Sequence, residues 1–137
     1  MQYEYNDGGR IAAGYKGETR DCVTRAIAIA TGRPYRDMYE DVNRFAKITP
    51  SIGKSSARTG VQKSVTRKYL QHLGWKWTPT MAVGQGCKTH LRADELPKGT
   101  IIVSLSRHLS AVVDGVINDT FDPSRDGTRC VYGYYSK

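Results

Sequence analysis

The chain has little of what membranes, export or disulfide scaffolds require. No run of about 18 apolar residues occurs, so no membrane-spanning helix is expected. The opening residues Met1-Gln2-Tyr3-Glu4-Tyr5-Asn6-Asp7 are polar and lack an apolar stretch, so no signal peptide is expected. There are only three cysteines, Cys22, Cys87 and Cys130, widely spaced. The odd number argues against a disulfide framework and favours a reducing, cytoplasmic setting. There is no run of five cations, no internal repeat and no low-complexity tract. These absences leave a globular chain as the expectation.

At 137 residues, one domain spanning 1–137 is expected, and 39% hydrophobic residues suffice for one core. Lys and Arg number 21 against 13 Asp and Glu, a net charge of +8 that favours acidic partners. The cations form only short clusters, at Lys63, Arg67 and Lys68 and at Arg33 and Arg36, and read first as a solvated face. Nucleic-acid binding is the weaker alternative. It would also draw on Trp75, Trp77 and the C-terminal tyrosines, which read rather as core and sheet residues.

Residues 1–20 read as irregular, punctuated by Gly8-Gly9, Gly14 and Gly17. Asp21 is a good N-cap for a helix over residues 22–31, which Gly32 stops. Pro34 opens a second helix reaching about residue 46, with Tyr35, Met38, Tyr39, Val42 and Phe45 at core spacing. Residues 47–58 are polar and suit a flap. A third helix is expected over about residues 61–73, with Val65, Tyr69 and Leu70 inward and Gly74 at its end. From Trp75 the pattern turns to β, with strands expected over 100–105, 108–113, 116–121 and 130–135. Helices followed by strands make an α+β chain, its N-terminal helices packed on a C-terminal antiparallel sheet.

Cys22 opens the first helix. Helix N-termini carry partial positive charge and free N–H groups. A thiol there has its thiolate favoured, and the same N–H groups can receive an oxyanion. The plainer reading is a small buried residue packing the helix. Asp21 and Arg25, at i and i+4, suit an ion pair.

A thiolate nucleophile needs a base that returns its proton, usually histidine. His72 reads as a charge complement at a helix end. His90 closes a C-x-x-H half-site with Cys87, but zinc needs more ligands, and no metal or cofactor is expected. His108 begins a strand that ends at Asp114-Gly115, a type I′ hairpin signal. The two-residue turn places Val113 opposite Val116, Val112 opposite Ile117, Ala111 opposite Asn118 and Ser110 opposite Asp119. His108, Ser110, Ile117 and Asp119 then share a face, with Asp119 diagonal to His108. A carboxylate there would hold the imidazole in one tautomer. A shift of one residue would put Asn118 in that place.

Together these residues resemble the papain-like superfamily of cysteine peptidases, in its small bacterial and phage branches: the NlpC-type wall peptidases and the bacteriocin-processing peptidases. Asp21-Cys22 opening a helix looks like the family's nucleophile helix. The strand His108-Leu109-Ser110-Ala111-Val112-Val113, its short turn and Asn118-Asp119 look like the histidine strand and orienting residue. The stretch from Arg20 through Gly32 looks like uncharacterised phage and bacterial proteins of this fold. The resemblance covers about residues 15–35 and 96–135. It implies a papain-like fold and a cysteine hydrolase with a Cys22–His108–Asp119 triad, acting on a protein or peptide in the cytoplasm, the host's if phage-encoded. Many papain-like enzymes place a glutamine shortly before the cysteine. Here Tyr15-Lys16-Gly17-Glu18-Thr19-Arg20 has neither Gln nor Asn. That leaves Thr19 or Arg20, or the Cys22 N–H alone, for the oxyanion. The missing glutamine and the basic balance also suit an inactive papain-like module that binds a host protein or other acidic partner.

Overall fold

The computed structural model describes residues 1–17, 19–50, 53–82 and 84–137. Helix α1 spans Cys22–Thr31, and its apolar spacing buries Val23, Ala26 and Ile27. It stops because Gly32 takes φ 69°, a conformation costly for other residues, and donates its N–H to the Ala28 carbonyl. Helix α2, Tyr35–Ile48, follows Pro34 and buries Tyr35, Met38 and Val42. Asp37 in its first turn and Lys47 in its last both suit the helix dipole. Helix α3, Lys63–His72, buries Val65, Thr66, Tyr69 and Leu70.

The strands are β1 (Gln2–Tyr5), β2 (Lys76–Pro79), β3 (Thr100–Leu105), β4 (His108–Val113), β5 (Val116–Asp119) and β6 (Gly133–Ser136). Among the described residues they form one six-stranded sheet, ordered β1-β5-β4-β3-β6-β2. Two features of the sheet correct the sequence reading. The expected irregular N-terminus contains β1, which pairs parallel with β5, so the sheet is mixed rather than antiparallel. Gln2-Tyr3-Glu4-Tyr5 does alternate polar and aromatic residues, a short strand pattern, and its pairing covers what would otherwise be the open edge of β5. The last strand starts at Gly133 rather than Cys130.

The helices cover one face of the sheet. Val23, Ile27, Tyr35, Met38 and Leu70 pack there with Ile102, Leu109 and Ala111. On the other face Ile101, Val103, Val112 and Ile117 pack beneath Leu91 and Val131. The segments carrying Leu91 and Val131 are held together by an isolated bridge between His90 and Cys130 and by a Cys87–Cys130 disulfide with Cα atoms 5.8 Å apart. The expectation of no disulfide is therefore corrected. An odd count excludes a fully paired framework but not a single bridge, so cysteine number gives no support to a reducing compartment.

The polar 47–58 segment includes Ser51 and Ile52, which lie outside the described residues. Its second half is anchored. Ala57 is fully buried, its N–H donates to Asn43 Oδ1 at 2.8 Å, and its carbonyl accepts from Thr24 Oγ1 at 3.0 Å. Among the described residues no helix is long and apolar enough to cross a membrane.

Candidate active site

The hairpin comes first, because it positions two of the three proposed groups. Asp114 and Gly115 both have positive φ, 50° and 80°, as a type I′ turn requires. The register is the one this turn dictates: Val113 opposite Val116, Val112 opposite Ile117 and Ala111 opposite Asn118. At the open end His108, Ser110 and Asp119 meet. Asp119 Oδ2 lies 2.6 Å from His108 Nε2 and accepts the Ser110 hydroxyl at 2.7 Å. Its Oδ1 accepts the Thr120 N–H at 2.7 Å and faces the Arg25 guanidinium at 3.4 Å. Asn118, the residue a slipped register would have presented, instead accepts from Asn6.

Helix α1 packs on β4, and Leu109 joins Val23 and Ala26 in the helix-side core. The start of β4 is thereby brought to the N-terminus of α1, where Cys22 is half-buried with its thiol free. Cys22 and His108 line one cleft of about 650 Å³ with Val23, Leu109, Trp77 and Arg20. The two groups shift each other's titration. Burial opposes ionisation of Cys22, but the neighbouring His108, then the Leu109 N–H and Arg25, outweigh it and hold the thiol below its ordinary range. Burial likewise opposes charge on His108, yet the Asp119 carboxylate bonded to it, and after that the neighbouring Cys22, push it up to about 9. Burial would raise Asp119, but His108, Ser110 and the Thr120 N–H hold it below the usual carboxylate value. These directions together favour a thiolate–imidazolium pair backed by a carboxylate.

Asp21 occupies the N-cap position, but its side chain makes no capping hydrogen bond, contrary to the sequence reading. The carboxylate is fully buried and turned to Arg25, to the Tyr35 hydroxyl at 2.6 Å and to Arg10 at 3.7 Å. Three donors outbid the helix terminus for it, which leaves the N–H groups of the first turn without a side-chain acceptor from Asp21. Arg25 does pair with Asp21, as the i, i+4 spacing suggests, and it also reaches Asp119, tying the helix to the hairpin.

Thr19 is not brought to the cleft. Its hydroxyl donates to the Arg58 carbonyl at 2.8 Å, and it lines a neighbouring cavity with Arg58 and Thr59. Arg20 lines both cavities, so of the two upstream side chains it is Arg20 that reaches the Cys22 cleft. Glu18 lies outside the described residues. His72 ends α3 and packs on the Phe45 ring at 5.1 Å, and His90 Nδ1 sits 3.2 Å from Glu95. The C-x-x-H half-site loses its thiolate to the disulfide, and among the described residues no group of three or more potential metal ligands forms.

Sequence reasoning gave Ser110 a place but no role, and it missed two contacts. Phe121 lies against His108, ring centroids 4.9 Å apart, and Arg25 bridges to Asp119. The hairpin register, carried on past Asp119 where β5 ends, already sets Phe121 opposite His108, whereas Arg25 and Asp119 lie on distant segments and leave no local signal. Comparison of the chain with known protein families, with curated proteins and with solved structures finds no match. The fold and the site therefore stand on their own geometry, as an α+β chain in which Cys22 and His108 line one cleft and a buried Asp119 holds His108.

Proposed function

We propose that this chain is a papain-like cysteine hydrolase that cleaves an amide or isopeptide bond through a thioester. The observation that carries the reading is that Cys22 and His108 line one cleft, with His108 Nε2 held by Asp119 at 2.6 Å. Nε2 of His108 is held by Asp119, which leaves Nδ1 for the thiol side. The Cys22 thiolate attacks the carbonyl carbon, and the negative charge moves to the carbonyl oxygen. The N–H groups at the start of α1 and the Arg20 side chain, which lines the same cleft, are the donors we assign to that oxyanion. Collapse breaks the C–N bond, and His108 gives its proton to the leaving amine. Water then attacks the thioester, His108 takes its proton, and the acid leaves as the thiolate is restored.

A mechanism-based thiol probe and a peptide-cleavage screen test this. The probe should label Cys22, and both labelling and cleavage should fall by orders of magnitude in Cys22→Ala and His108→Ala. A folded protein whose Cys22 reacts no faster than a free thiol, and which cleaves no peptide, would refute the proposal. It would leave a binding module on the same scaffold.

A further inference from the structure

The cleft beside Cys22 carries a charge pattern that the reaction itself does not require. Its rim bears Arg20, Lys63, Arg67 and Arg107, and no Asp or Glu lines it among the described residues. Two further cavities adjoin it. One shares Arg20 and adds Arg58; the other shares Lys63 and Arg67 and adds Lys68. Neither is lined by an acid, and none of these six cations lies within ion-pair distance of a carboxylate among the described residues.

Helix α3 carries three of the six at a cost to itself. Lys63 stands in its first turn, where the dipole disfavours a cation, and Lys63 and Arg67 are like charges at i, i+4. The helix contains no acidic residue to offset them. Two are held in place by aromatic rings: the Lys63 ammonium lies over Tyr132 at 5.6 Å and the Arg67 guanidinium over Trp77 at 5.1 Å. Below the cations the cleft is apolar, with Val61, Leu105 and Leu109 beside the rings.

We infer that the ligand of this cleft is an acidic peptide, with an apolar residue seated at Cys22 and carboxylate side chains on the flanking residues. The inference rests on the hydrolase reading for the peptide's orientation at the thiol, and on the six cations for its charge. A peptide fits better than a nucleic acid because the rings offer no free stacking platform. Trp77 is covered by Arg67 and packs on Tyr135 at 4.8 Å, and Tyr132 is covered by Lys63.

The test is fluorescence anisotropy with Cys22→Ala protein and two labelled peptides sharing an apolar centre, one flanked by Glu and the other by Gln. An exposed ion pair is worth up to about fivefold, so the Glu peptide should bind about tenfold tighter or more at low salt, and the gap should close at high salt. Lys63→Gln with Arg67→Gln should remove most of the gap. Lys88→Gln with Lys98→Gln, an equal loss of charge at exposed sites outside the three cavities, should leave it. Equal binding of the two peptides, equal effects of the two double variants, or tighter binding of a single-stranded oligonucleotide would each overturn the inference. Cleavage by the wild-type protein is scored separately. Preferred cleavage of the Glu peptide supports both proposals, and preferred cleavage of the Gln peptide overturns this one alone. Selective binding of the Glu peptide with no cleavage would sink the hydrolase reading while the acidic ligand stands.

Discussion

Replacing Asp119 by Asn keeps the shape of the side chain and removes its charge, which isolates the electrostatic part of the site. In the native chain the carboxylate contacts His108 Nε2 at 2.6 Å and is itself almost fully buried. It leads the influences that raise His108 from its ordinary 6.5 to about 9 against the pull of burial, with Cys22 second. A tenfold change in proton affinity is worth about 1.4 kcal/mol, so that rise is roughly 3 kcal/mol in favour of the imidazolium. Most of it should vanish in Asp119→Asn, because burial then acts against a charge that has lost its main partner. The thiolate in turn loses the cation facing it, and Cys22 moves back up toward its ordinary 9.0. The assay is the rate of iodoacetamide alkylation of Cys22, followed by intact mass from about pH 4 to 10. Alkylation needs the thiolate, so the rate rises as pH climbs through the folded-state pKa of Cys22. In the native protein that rise should fall clearly below 9.0, and in Asp119→Asn it should move to higher pH. At about pH 7 the variant should react more slowly than the native protein, because less of its Cys22 is thiolate. Superimposable pH profiles would refute the electrostatic account of the site.

Arg25→Met leaves Asp21 and Asp119 buried without their shared cation and should cost about 3–5 kcal/mol in urea unfolding, with Arg25→Lys recovering little because one ammonium cannot serve both carboxylates. The stability that Asp119 contributes should be fully present above its unfolded value of 3.8 and lost as pH falls through its lower folded-state pKa, so Asp119→Asn should flatten the acid limb of urea midpoints against pH. Thiol titration of the denatured, unreduced protein should count one free thiol, Cys22, and reduction should lower stability by at most about 4 kcal/mol for a loop closed across 43 residues; three thiols before reduction would contradict the bridge. Gly133→Ala should destabilise by about 1–3 kcal/mol, read as a drop in Tm, because an added Cβ would run into the Trp77 indole and the Thr78 carbonyl oxygen at 2.8 Å.

Local order was legible in the residues alone. The bounds of α1 follow from apolar spacing and Gly32, and the Asp114-Gly115 turn with period-two alternation is enough to place Asp119 against His108. These features depend on neighbours a few positions away, where backbone sterics and turn geometry leave few options. Tertiary structure alone decided the parallel docking of β1 on β5, the Cys87–Cys130 bridge, the turning of Asp21 from cap to buried acceptor, and the placing of Arg20 rather than Thr19 in the Cys22 cleft. It also decided that Cys22 and His108 line one cleft, through the packing of α1 on β4. Each joins segments far apart along the chain. Such contacts are set by which surfaces bury one another, and side-chain periodicity within either segment carries no record of its partner.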